Sequence, residues 1–161
     1  MLFSEEVTRS LREGKLAVIP TDTLYALGVD ALNAKAIERF FALKKRPENK
    51  PVPLFIKDIK MAKELAFIDK KQEKILEKLW PGPFTFIFYK KNPVSLRLTA
   101  GTQTVGLRIP DNIFCQALLN KFDGPITASS ANISGIEATA DLDEIIKQFS
   151  KYSVTPDLII D

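Results

Sequence analysis

Short apolar segments alternate with capped, amphipathic helical segments along all 161 residues of this chain. That alternation restricts it to α/β or α+β architectures with a partly parallel sheet. Residues 5–13 read as a helix stopped by Gly14, and residues 16–19 as an apolar strand closed by Pro20. Asn33 suits the N-cap of a helix from Ala34 to about Lys44, and Pro47, which has no N–H to extend the ladder, would end it. A buried strand over 53–56 and a helix over 59–66 come next. Asp69 then caps a helix over 70–80, with Gln72 at the capping-box position and Pro81-Gly82-Pro83 as a hard stop. Strands are expected over 84–89 and 104–109, and Asp111 or Asn112 opens a helix carrying Cys115. Residues 125–128 form the strand that delivers Ser129. Asp141-x-x-Glu144 starts a helix to about Phe149, and 157–160 is a last strand. Neither a repeat nor a linker divides the chain, so one domain over residues 1–161 is expected.

Histidine is absent and Cys115 is the one cysteine. This excludes Ser-His-Asp and Cys-His catalysis and any intramolecular disulfide, and it leaves a zinc site short of ligands. Cys115 sits in the apolar run 113–119, which reads as a buried, inert thiol. Chemistry therefore has to come from positioning and electrostatics through Lys, Arg, Thr, Ser and Asn, with any metal carried in on the substrate. No apolar run approaches the ~20 residues of a membrane span. The start, Met1 to Glu6, turns acidic at once and lacks a basic leader, so a cytoplasmic location without a membrane partner is expected. The net charge of +3 is modest, but residues 35–63 are basic and 137–161 acidic. Such asymmetry fits a localised anion site better than a polybasic surface.

Helical phase picks out the first candidates. Ile37, Phe40, Phe41 and Lys44 fall on one face at 100° per residue, so Lys44 continues the core-facing stripe while Lys45 points aside. A lysine on an apolar stripe either snorkels to water or meets an anion. Lys44, Lys45 and Arg46 also complement the negative end of the helix, which suffices for Lys45. Thr21, Asp22 and Thr23 follow a strand end, where open α/β sheets bind ligands, although Thr-Asp-Thr is equally a common turn. Ser129, Ser130 and Asn132 follow the second apolar strand and could hydrogen-bond phosphate oxygens or a base, or form an Asx turn. Tyr25 and Leu27 are an apolar wall or core. Arg108 is a cation in an apolar strand and must face solvent or a polar cleft.

Five segments occur together in order: residues 20–28 (PTDTLYALG), 44–51 (KKRPENKP), 80–85 (WPGPFT), 107–111 (LRIPD) and 129–135 (SSANISG). As an ordered set they resemble the YrdC family of threonylcarbamoyl-adenylate synthases. The resemblance implies a twisted open α/β sheet with flanking helices and a concave basic cleft. It also implies the conversion of L-threonine, ATP and bicarbonate or CO2 into threonylcarbamoyl-adenylate and pyrophosphate. Mg2+ would enter with ATP and take no protein side chain. By the same resemblance Lys44 and Arg46 are catalytic, and Thr23 and Arg108 hold threonine. Lys44, Arg46, Ser130, Asn132 and Thr85 hold the nucleotide. Partners would be the downstream proteins of tRNA threonylcarbamoyl transfer. A double-stranded RNA or tRNA-binding module, or a truncated nucleotide-binding relative without turnover, is the alternative. Two departures from the family pattern are mild: Asp22 for the commoner glutamate, and Ala26 for a frequent glycine. Family members continue into a Ser-Thr-Val-like strand that helps close the site. The sequence ends at Asp161, so either a minimal form or a more open site is expected, with ATP affinity the property affected.

Overall fold

Side-chain caps start the helices. The computed structural model describes residues 2–152 and 154–161. Helix α1 spans Leu2–Arg12, followed by strands β1 (Ala17–Ile19) and β2 (Ala26–Gly28). Asn33 Oδ1 accepts from the N–H groups of Lys35 and Ala36 and opens α2 (Ala34–Lys44). After β3 (Leu54–Phe55), Asp58 caps α3 (Ile59–Leu65). The capping box on α4 (Lys70–Leu79) is reciprocal: Asp69 accepts from Gln72 N–H at 2.8 Å, and Gln72 accepts from Asp69 N–H at 2.9 Å. Strands β4 (Phe86–Tyr89) and β5 (Thr104–Arg108) lead to α5 (Ile113–Phe122), which Asn112 rather than Asp111 caps. The chain continues through β6 (Ile126–Thr127), β7 (Ser129–Ser130), α6 (Leu142–Lys151) under Asp141, and β8 (Leu158–Ile159). Each such cap contributes about 1 kcal/mol.

The mixed α/β architecture is as expected, but its strands divide between two four-stranded sheets. One runs β7-β2-β1-β8 and the other β4-β5-β3-β6. A single extended segment joins them. Ile126 and Thr127 pair with β3, Ser129 and Ser130 pair with β2, and Ala128 N–H between them donates to the Pro53 carbonyl at 2.7 Å. The buried Thr127 hydroxyl donates to Leu27 O and accepts from Val29 N–H, both at 3.1 Å, which ties the second sheet to the end of β2.

Period-two alternation sends successive strand residues to opposite, equally buried faces. Val18, Leu27 and Leu54 face a core shared with α2, α3, α4 and α6. Ala17, Ile19, Ala26 and Phe55 face a second core made with α1 and α5. Two strands were missed in the sequence. The sequence marks Tyr25 and Leu27 as wall or core, and Ser129 and Ser130 as phosphate- or base-binding residues or an Asx turn, because two or three residues are too few to show a period. Their pairing with each other and with β1 makes them strands.

Gly28 sits where the sheets meet, and a Cβ there would lie 2.9 Å from Ile126 Cγ2. Gly28→Ala should therefore cost about 1–3 kcal/mol by overpacking, read as a lowered urea midpoint with an unchanged m-value.

Candidate functional site

Helix α2 closes with a left-handed residue, Lys45, at φ 49°. Arg46 N–H reaches back to Phe41 O at 3.2 Å and Lys45 N–H to Ala42 O at 3.3 Å, a Schellman arrangement built without glycine. The reversal separates three consecutive cations. Lys45 turns outward, its Nζ 4.6 Å from the centre of the Tyr152 ring. Lys44 goes inward and is 1% exposed. Arg46 folds over the following loop, donating from Nε to Lys50 O at 3.2 Å and from Nη2 to Pro51 O at 2.8 Å.

A buried ammonium costs several kcal/mol unless it is fully hydrogen-bonded. Lys44 Nζ donates to Ser130 O at 2.5 Å, Asn132 O at 3.0 Å and Asn132 Oδ1 at 2.8 Å. Three acceptor-only oxygens require three N–H groups, so this geometry holds the charged amine. Burial, aided by the neighbouring charge of Arg46, nevertheless pulls its pKa down to about 7. Burial also lowers the pKa of Arg46. Asn132 completes the loop: Oδ1 accepts from the Ser130 hydroxyl at 2.7 Å and Nδ2 donates to Ile136 O at 2.5 Å. Ser134 N–H donates to the Lys44 carbonyl at 2.8 Å, so backbone and side chain of Lys44 both hold the 130–136 loop.

Arg108 faces a polar cleft. Its Nη2 donates to Asp22 Oδ1 at 2.7 Å, Nε to Gly82 O at 3.0 Å and Nη1 to Thr23 Oγ1 at 3.4 Å. The Asp22 and Arg108 side chains are only 13% and 11% exposed. Thr23, Arg108 and Ser130 line a cleft of about 100 Å3, with Tyr25 and Phe55 as apolar walls. Tyr25 O–H also donates to Asp161 Oδ1 at 2.8 Å, fastening this wall to the second residue after β8. Beneath the cleft, Cys115 Sγ donates to Pro20 O at 3.0 Å, and burial pushes its thiol up to about 12. That thiol is no nucleophile. A more open hollow of about 470 Å3 lies by Lys57, Lys60, Pro81 and Gln116, but Lys57 there is paired with Asp123.

The structure thus joins Lys44, Ser130 and Asn132 in one network and Thr23 with Arg108 in another, and Ser130 borders both. Arg46 lies on the adjoining loop. Thr85 is exposed at the start of β4 beside Gly106 and Pro53, and makes no hydrogen bond with the other six among the described residues. The sequence singles out Asp22 only as part of the 21–23 turn, without a partner. An acidic residue after a strand and a cation in a strand were visible, but not their pairing across 86 positions.

The Sua5/YciO/YrdC family model, described as "Telomere recombination", matches residues 9–161. The chain belongs to this family. Threonylcarbamoyl-AMP synthase of Pyrococcus abyssi is 35% identical over 140 residues, which cover 86% of this chain and 41% of that protein. The Bacillus subtilis synthase is 37% identical over 127 residues, covering 78% and 37%. Superposition on P. abyssi Sua5 complexed with L-threonine gives a TM-score of 0.91 at 33% identity, covering 98% of this chain and 46% of that one. This member of the Sua5/YciO/YrdC family spans less than half the length of these relatives.

Lys44 generates a pH prediction. It binds its proton more weakly folded, at about 7, than at its ordinary 10.5, so between these values the unfolded state carries more protons and stability rises with pH. Cys115, raised from 9.0 to about 12, acts in the opposite sense above pH 9. From pH 7 to about 9 the wild type should gain stability relative to Lys44→Met in urea unfolding. A difference that stays flat with pH would rule out the depressed lysine.

Proposed function

We propose that this chain is an L-threonylcarbamoyladenylate synthase, a nucleotidyltransferase. It would convert L-threonine, bicarbonate or CO2, and ATP into threonylcarbamoyl-AMP and pyrophosphate for tRNA modification. One observation carries the reading: Ser130 connects the Lys44–Asn132 network to a small cleft where Arg108 and Thr23 converge. On this reading the Lys44–Arg46 segment would meet the phosphates and the adjoining cleft of about 100 Å3 would take a small amino acid. Family membership, the named activity of the relatives and the threonine complex of P. abyssi Sua5 support it.

In this mechanism Arg108 pairs with the carboxylate of threonine, and Thr23 with its polar atoms. The amine captures CO2 as a carbamate, whose oxygen attacks the α-phosphorus of ATP as pyrophosphate leaves. Two anions must approach, and the Arg46 guanidinium and the Lys44 charge offset their repulsion and stabilise the transition state. Asn132 holds Lys44 and the 130–136 loop in place on the nucleotide side, and Thr85 offers a hydroxyl at the sheet rim. Tyr25 and Phe55, as walls of the cleft, would help exclude water from an unstable carbamate. Mg2+ bound to the triphosphate would neutralise part of its charge. No helix among the described residues is long and apolar enough to cross a membrane. The enzyme would work in the cytoplasm and pass its adenylate to tRNA threonylcarbamoyl-transfer proteins.

Incubation with ATP, threonine, bicarbonate and magnesium should yield the adenylate by mass spectrometry, with threonine-dependent pyrophosphate release. Arg46→Ala should cut that release at least about 100-fold, the scale of a lost transition-state charge contact, while leaving the thermal transition in place. Wild-type turnover in Arg46→Ala would defeat the role. Absence of the adenylate together with steeply salt-dependent binding of double-stranded RNA would identify a binding module instead.

A further inference from the structure

The segment 80–85 joins α4 to β4, and the proposed mechanism uses only Thr85 of it. Its first residue is the one tryptophan of the chain, 6% exposed. Trp80 N–H donates to Leu76 O at 2.8 Å, which ties its backbone to the end of α4. Its ring meets the Phe86 ring edge-on, with 5.6 Å between centroids. Burial and packing account for the ring but not for its polar edge. There Nε1–H donates to Phe84 O at 2.9 Å and closes the turn 80–84.

Within that turn, Gly82 grips the end of β5 twice. Its N–H donates to Ile109 O at 2.9 Å, and its carbonyl accepts from Arg108 Nε at 3.0 Å. The turn also backs closely onto α4, since a Cβ on Gly82 would lie 2.8 Å from Leu79 O. The consequence falls on the guanidinium. Arg108 gives one N–H from Nε to Gly82, one from Nη2 to Asp22 and one from Nη1 to Thr23. Of the five N–H groups, one is left on each terminal nitrogen, a pair that a carboxylate can take end-on. Without the Gly82 carbonyl, Nε would need another acceptor and the guanidinium could turn about its stem.

We infer that Trp80 is a positioning residue for Arg108. Its indole N–H closes the 80–84 turn, the Gly82 carbonyl then holds Nε, and the terminal N–H pair is presented to the carboxylate of the amino acid. The carboxylate rests on the synthase reading, whereas the hold on Nε stands without it. Trp80 is not among the residues lining the cleft, so it acts through Gly82 and Arg108.

Two variants of the full chain test this. Trp80→Phe removes the N–H, and β-(3-benzothienyl)alanine placed at position 80 keeps the bicyclic ring with sulfur where the N–H was, so the test survives if the phenylalanine variant does not fold. In each, the Arg108 Nε–H resonance, assigned by its loss in Arg108→Lys, should exchange with water about tenfold faster than in the wild type. By titration calorimetry each should bind L-threonine about tenfold more weakly and inorganic tripolyphosphate within about twofold of wild type. A role in stability alone would lower the thermal midpoint and move neither readout. An unchanged Nε–H exchange rate, an unchanged threonine affinity or an equal loss on tripolyphosphate would overturn the positioning role while the synthase reading stands. Failure of the wild type to bind threonine would overturn the synthase reading, and the Nε–H exchange would still decide the hold on Arg108.

Discussion

A buried ammonium organises this structure. Lys44 sits at the end of an apolar helical stripe, 1% exposed, and its three N–H groups are all directed at residues 130 and 132. Because an unsatisfied charge there would cost several kcal/mol, the 130–136 loop has little freedom to move without exposing or stranding it. The helix end, the loop and the strand before the loop are therefore held as one unit. The left-handed turn at Lys45 is what lets Lys44 enter while its neighbours turn away.

The second organising contact is the partly buried pair of Asp22 and Arg108. It joins the turn between β1 and β2 to the end of β5, and the Gly82 carbonyl fixes the guanidinium from the third side. Pairing Arg108 with Asp22 keeps the cleft from carrying a bare positive charge. The two networks meet at Ser130, where the first sheet borders the second. A site shared between two sheets explains why its residues come from five separated segments, none of which is a phosphate-binding loop by itself.

Much of the local structure was legible in the sequence. Helices announce themselves through caps and a 3.6-residue period, and the capping box at Asp69 and Gln72 and the cap at Asn33 are present as read. The inward phase of Lys44 and the outward phase of Lys45 follow from the same period. Strands β2, β7 and the division into two sheets were not legible. They rest on a three-residue pairing of β2 with nearby β1 and a two-residue pairing of β2 with β7 about 100 positions away, and such short runs carry no periodic signal.

By itself the sequence determined which chemistry was open: without histidine and with one buried cysteine, only charge, hydroxyl and amide groups were left to act. It also determined the family, through five ordered motifs, and the inward direction of Lys44. Tertiary structure alone decided that Asp22 pairs with Arg108, that Lys44 spends every proton on residues 130 and 132, and that the Ser130 hydroxyl bonds the Asn132 side chain. The physical reason is that a residue's phase on its element is local, whereas the direction of a hydrogen bond depends on every partner within reach, and folding brings those partners from distant parts of the chain.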